Sequence, residues 1–133
     1  MKVFALEIVT PSKLAFNAEV VSITVPGTLG EFQVLYNHAA IVSILEIGKI
    51  KVQPKDGETL IFATSGGTIE VLNNKAVVLV ASLERIEEID VQRAEQAVER
   101  ARKRLANRDQ VDVARAEAAL TRGLNRLKVS ARN

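Results

Sequence analysis

Short runs rich in Val, Ile, Phe and Thr fill the first two thirds of the chain: residues 2–9, 18–25, 31–35, 49–53, 59–64, 68–72 and 76–81. Between them stand Thr10-Pro11-Ser12, Pro26-Gly27-Thr28-Leu29-Gly30, Pro54-Lys55-Asp56-Gly57, Ser65-Gly66-Gly67 and Asn73-Asn74. Branched and aromatic side chains suit a pleated, half-buried backbone, while Gly, Pro, Asn and Asp supply the dihedral angles of reversals. Strands this short and this closely spaced predict a small antiparallel sandwich or barrel. Asp56-Gly57 and Asn73-Asn74 read as hairpin turns, and Gly66-Gly67 as a tight turn between strands. Residues 37–47 break the rhythm and read as a longer connection with an apolar middle.

From about Ile86 the period changes from two to 3.6, and one pattern is then stated twice. Asp90-Val91-Gln92-Arg93-Ala94-Glu95-Gln96-Ala97-Val98-Glu99-Arg100, running on to Arg104-Leu105, recurs 22 residues later. The second copy is Asp112-Val113-Ala114-Arg115-Ala116-Glu117-Ala118-Ala119-Leu120-Thr121-Arg122, running on to Arg126-Leu127. Both copies have high helix propensity. At about 100° per residue, Arg100 and Arg104 fall within roughly 20° of Arg93, beside a face of Ala94, Ala97, Val98, Ala101 and Leu105. Each helix therefore carries a seam of small residues with arginines along its shoulder. Asp90 caps the first helix, and Asp112 or Asp109 the second. Asn107-Arg108-Asp109 supplies a turn short enough to force an antiparallel pair. Alanine seams bury little area at about 25 cal/mol per Å², and Gly123 costs the second helix roughly 1 kcal/mol relative to Ala. The hairpin is thus marginally held shut, which suits a switch.

Composition narrows the chemistry. With 47% hydrophobic but only 4% aromatic residues, the core should be aliphatic. There is no Cys, so disulfides and thiolate metal sites are excluded. No apolar run approaches the length of a membrane span. The opening Met1-Lys2-Val3-Phe4-Ala5-Leu6 resembles a signal peptide only until Glu7 and Pro11 interrupt it, so a first strand is the better reading. A soluble chain is expected, cytosolic or peripheral to something larger. The net charge of +2 hides an asymmetry: through Asp90 there are 7 basic and 11 acidic residues, and beyond it 11 basic and 5 acidic. A basic tail on a mildly acidic body calls for an acidic partner, whether protein, phosphate or membrane.

Nothing in the chain points to catalysis. Ser65 lacks a nucleophile elbow, no phosphate loop or dinucleotide fingerprint occurs, and no His/Asp cluster has metal spacing. The lone histidine, His38, reads as a hydrogen-bonded loop or core residue. Arg93, Arg100, Arg115, Arg122 and Arg126 stand out because repetition sets them on one shoulder, and guanidinium groups grip phosphate in pairs of hydrogen bonds. Asp90 can add a directional bond to a base or sugar. The hairpin has no aromatic residue, which argues against single-stranded nucleic acid.

Four segments in order carry a family resemblance: Gly30-Glu31-Phe32-Gln33-Val34-Leu35 leading to Asn37-His38-Ala39; Leu45-Glu46-Ile47-Gly48; Ser65-Gly66-Gly67-Thr68-Ile69-Glu70-Val71; and Glu87-Glu88-Ile89-Asp90-Val91-Gln92-Arg93-Ala94. Over its whole length the chain resembles the epsilon subunits of bacterial rotary (F-type) ATP synthases. The resemblance implies an N-terminal antiparallel β-sandwich over 1–85 that binds the gamma subunit and the c-subunit ring, and a regulatory α-helical hairpin over 86–133. It implies a non-catalytic rotor-stalk subunit that couples proton-driven rotation of the ring to ATP synthesis. It places Glu31 and His38 at the c-ring and gamma interface. Folded down, the hairpin of this family permits rotation; extended along gamma, it reaches the alpha/beta catalytic hexamer and blocks ATP hydrolysis. In some members ATP binds the folded hairpin as a regulatory ligand, with no cofactor or metal required. The corresponding residues here are Ile89, Asp90, Arg93, Ala94, Arg100, Arg122 and Arg126. Inhibitory contacts to the beta subunits fall to Arg115, Arg122 and Arg126. The implied location is peripheral, on the cytoplasmic face of the bacterial cell membrane, without direct insertion and without nucleic acid. The competing reading is a β adaptor whose basic hairpin binds anionic membrane or nucleic acid, with steep salt dependence.

Overall fold

The computed structural model describes residues 2–107 and 112–131. The chain divides into two compact units, Met1–Arg85 and Ile86–Asn133. In the first unit the strands are β1 (Phe4–Thr10), β2 (Lys13–Gly27), β3 (Gly30–Val34), β4 (Ile41–Leu45), β5 (Gly48–Pro54), β6 (Leu60–Thr64), β7 (Gly67–Leu72), β8 (Lys75–Val80) and β9 (Leu83–Arg85). They form one sheet in the order β1-β8-β7-β4-β2-β5-β6-β9, with β3 also on β2. An additional β1–β2 pairing closes the sheet on itself. Long β2 makes this possible: residues 13–20 pair with β1, whereas residues 20–24 pair with β5 and 23–27 with β3. The register slips between Val20 and Ser22, a β-bulge of the kind that bends a strand from one layer into the next. Among these pairings β1–β8 is parallel, where a wholly antiparallel sandwich was expected from the sequence.

Alternation does the rest. β7 and β8 turn every second residue inward, and Ile69, Val71, Ala76, Val78 and Val80 are buried between the layers. Leu6, Ile8, Val20, Ile23, Val25, Val34, Ile50 and Val52 complete an interior in which each is fully enclosed. The core is aliphatic, as the scarcity of aromatics predicts. Asn73 and Asn74 have φ of 48° and 59°, the left-handed pair that a two-residue turn joining right-twisted strands requires. At Gly66-Gly67 the chain passes against other backbone. A Cβ at Gly66 would lie 2.9 Å from the Leu45 carbonyl oxygen, and one at Gly67 would collide with that of Leu79.

Two strands depart from the sequence expectation. Within 37–47, read as a connection, residues 41–45 form β4, paired with β7. The reason is visible in its faces: Val42 and Ile44 are 74% and 64% exposed, so apolar residues stand on both sides and no polar alternation marks the strand. β9 is three residues long, carries Glu84 and Arg85, and pairs with β6.

In the second unit a short 3-10 turn, Ile86–Glu88, leads into α1 (Val91–Ala106) and α2 (Val113–Ala131). Ala94, Val98 and Ala101 are buried on α1, and Ala116, Gly123 and Val129 on α2, with Gly123 against Val98 and Ala94.

Candidate functional site

Both helices begin in the same way. The Asp90 carboxylate accepts a hydrogen bond from the Arg93 backbone N–H at 3.0 Å, and Asp112 accepts from Arg115 N–H at 3.1 Å. The aspartate carbonyls accept from Ala94 and Ala116 N–H, each at 3.0 Å. Each cap satisfies an otherwise orphaned donor and fixes the phase of its helix. Asp112 is therefore the cap of α2; Asp109 lies outside the described residues, as does Arg108 of the anticipated turn.

The helices run antiparallel. Val98 meets Gly123, while Arg104, six residues onward, shares a cleft with Asp112, Arg115 and Ala116, seven or more residues back. Two like helices packed this way are related by a rotation about an axis normal to the plane containing them. That operation keeps each flank on its own side. Taken about the buried seam, Arg93, Arg100 and Arg104 of α1 and Arg115, Arg122 and Arg126 of α2 lie about 100° to the same hand, while Glu95, Glu99 and Glu117 lie to the other, together with Arg102 and Lys128. The sequence repeat thus becomes a single basic side built from both helices.

Gly123 is a point of close approach between the helices. A Cβ there would sit 2.7 Å from Val98 Cγ2 and 3.6 Å from the Ala94 carbonyl oxygen. The helix-propensity cost anticipated from the sequence is real, but the missing methyl also lets the helices close against Val98. This corrects the view of Gly123 as a purely weakening residue.

The residues proposed for nucleotide do not all converge. Asp90, Arg93 and Arg100 line one cleft of about 430 Å³, joined by Gln92 and Gln96. Arg115 lines another of about 290 Å³ with Arg104, Asp112 and Ala116. Arg122 and Arg126 are half-buried on the same side of the hairpin but line neither cleft. Ile89 and Ala94 are 9% and 2% exposed, so their side chains serve packing and leave only backbone to a ligand. Gln92, Gln96 and Arg104 were not singled out as ligands from the sequence. Gln96 was findable, because it stands three residues after Arg93 and four before Arg100. Among the described residues no group of three or more His, Asp or Glu is placed to hold a metal, and no helix is long and apolar enough to cross a membrane.

Glu31 and His38 belong to the first unit. Glu31 is exposed at the start of β3, paired with Pro26, and His38 lies in the loop beyond the other end of that strand. The structure therefore does not bring them together. His38 is half-buried; its Nδ1 lies 2.7 Å from the Ala39 carbonyl oxygen, and its N–H donates to Leu35. A reciprocal pair secures this loop: Asn37 N–H donates to Asn74 Oδ1 at 2.7 Å, and Asn74 Nδ2 donates to Asn37 Oδ1 at 2.9 Å. Lys2 Nζ lies 5.5 Å from the centre of the Tyr36 ring, within cation–π range.

Residues 3–86 match the family model described as ATP synthase, Delta/Epsilon chain, beta-sandwich domain, and residues 87–131 match that family's long alpha-helix domain. The chain belongs to the ATP synthase delta/epsilon chain family. Relatives within it include the ATP synthase epsilon chain of Protochlamydia amoebophila, 42% identical over 80% of this chain and 72% of that one. The epsilon chain of Pelotomaculum thermopropionicum is 47% identical over 77% and 76%. Among solved structures, a chain of the Euglena gracilis mitochondrial ATP synthase, from its OSCP/F1/c-ring part, superposes with a TM-score of 0.86 at 23% identity. That match covers 100% of this chain and 83% of the other. A chain from the central stalk and c-ring of the Tetrahymena thermophila mitochondrial enzyme gives 0.61 at 16% identity, covering 96% and 93%. At these identities the structural likeness establishes the delta/epsilon fold.

Proposed function

We propose that this chain is a non-catalytic stalk subunit of an ATP synthase whose hairpin senses ATP and restrains ATP hydrolysis. Family membership over both units supports the stalk role. The β unit binds gamma and the c-ring, with Glu31 and the Asn74-secured His38 loop contributing to those contacts. The subunit acts at the cytoplasmic face of the membrane as a peripheral part of the complex. This reading takes the place of a free-standing adaptor for membrane or nucleic acid.

The observation that carries the sensing role is the meeting of Asp90, Arg93 and Arg100 at one cleft. The two guanidinium groups take phosphate oxygens, and Asp90 accepts from the nucleoside. Arg122 and Arg126, on the same side of α2, close on the ligand only when the helices are paired. ATP then favours the closed hairpin by its differential affinity for that state. When ATP falls, the hairpin opens, and Arg115, Arg122 and Arg126 pair with acidic surface on the beta subunits. Calorimetric titration of the chain with ATP, ADP and GTP tests the site. Arg93→Ala should weaken ATP binding at least tenfold, the loss of about one charge-assisted hydrogen bond, and shift the hairpin towards its extended, inhibitory form. Unchanged affinity removes Arg93 from the site.

A further inference from the structure

Arginines on a helix surface are ordinarily quenched by carboxylates three or four residues away. Around Arg93 and Arg100 the sequence withholds them. The neighbours of Arg93 at those spacings are Ile89, Asp90, Gln96 and Ala97, and those of Arg100 are Gln96, Ala97, Lys103 and Arg104. Asp90 is the one acid among them, and one of its oxygens is committed to the Arg93 backbone. Glu95 and Glu99 fall on the other flank. Two positions adjoin both arginines: Ala97, half-buried, and Gln96, exposed and lining the cleft. The Gln96 side chain makes no hydrogen bond to any described residue.

We propose that Gln96 binds the polyphosphate chain of the ligand, donating from its amide to a phosphate oxygen midway between Arg93 and Arg100. This rests on the reading of the cleft as a nucleotide site and names the moiety that the cleft grips. The arginines are about 10.5 Å apart along the axis, and Gln96 stands about 4.5 Å from the first and 6 Å from the second. An extended anion held by both guanidinium groups within this cleft comes within reach of its amide. A neutral donor suits that place: it bonds to phosphate without competing for the arginines. A carboxylate there would pair with Arg100 and occupy the site with the protein's own charge.

Calorimetric titration of the full chain with inorganic tripolyphosphate and with ATP, at fixed ionic strength, tests this. Gln96→Ala should weaken both ligands by the same factor, roughly tenfold or more, the loss of one hydrogen bond to a charged acceptor. Gln96→Glu should weaken both further. Position 96 is exposed and both substitutes are good helix formers, so circular dichroism at 222 nm should be unchanged. Unaltered tripolyphosphate binding in Gln96→Ala overturns the proposal, and a loss confined to ATP overturns it equally by assigning Gln96 to the nucleoside. If the unmodified chain binds neither ligand, the nucleotide reading of the cleft falls and this proposal falls with it. If it binds both and Gln96→Ala does too, only the role of Gln96 is lost.

Discussion

Replacing Gly123 with alanine sets a local gain against a tertiary loss. In a helix interior alanine is favoured over glycine by about 1 kcal/mol. Yet the added methyl would lie 2.7 Å from Val98 Cγ2, about 1 Å inside the optimal carbon–carbon separation. Val98 is buried at 4% exposure and, being β-branched, has essentially one helical rotamer, so it cannot swing aside. Overpacking of this kind costs about 1–3 kcal/mol. The expected net effect is a loss of about 1 kcal/mol in hairpin stability. With Val98→Ala in the background the obstructing methyl is gone, and the same Gly123→Ala change should stabilise by about 1 kcal/mol. Urea titrations of the four chains of this cycle, followed by helical circular dichroism, read the sign directly, with a coupling of about 2 kcal/mol between the sites. If Gly123→Ala stabilises equally in both backgrounds, close approach at Val98 is not what keeps glycine there.

Two other outcomes follow from contacts described above. Asn74→Ala removes both side-chain bonds to Asn37 and leaves a non-glycine residue lacking asparagine's tolerance of φ 59°. It should cost about 2–3 kcal/mol and speed amide exchange at Asn37 and His38, whereas protection equal to the parent would mean that the loop is held by something else. Reversing charge at Arg115 and Arg122 together should weaken inhibition of ATP hydrolysis by the extended hairpin in the assembled enzyme; full inhibition by the double variant would remove these residues from the inhibitory contact.

What could be read from the sequence depended on how far apart the cause and the effect lie. Strands whose inner and outer residues differ in polarity, such as β7, announce themselves, and β8 shows as an unbroken run of apolar residues. β4 does not, because Val42 and Ile44 face outward and erase the alternation. The two-layer closure depends on β2 changing partners near Val20, a long-range pairing that no local window contains. In the hairpin, Asp90, Arg93 and Arg100 lie on one helix, so periodicity alone brings them together. Ile89 and Ala94 entered the candidate site with their motif, yet their side chains are spent on packing. For Gly123 the propensity cost is local and was visible; the benefit is set by Val98 on the facing helix and was not.

The two-fold relation between α1 and α2 has an electrical consequence. In an antiparallel pair the axial macrodipoles oppose one another, but charge across the width does not cancel, since each flank is shared by equivalent residues of both copies. Arg93, Arg100, Arg104, Arg115, Arg122 and Arg126 gather on one side, while opposite them Glu95, Glu99 and Glu117 are partly offset by Arg102 and Lys128. The closed hairpin is therefore polarised crosswise. Its like charges sit on helices whose axes pack about 8–10 Å apart, within about one Debye length at 0.1 M salt. Pairing the helices brings these like charges together, so their repulsion works against the packed pair. Diffuse counter-ions screen that repulsion, as would a polyphosphate bound as proposed above, so added salt should favour the packed pair.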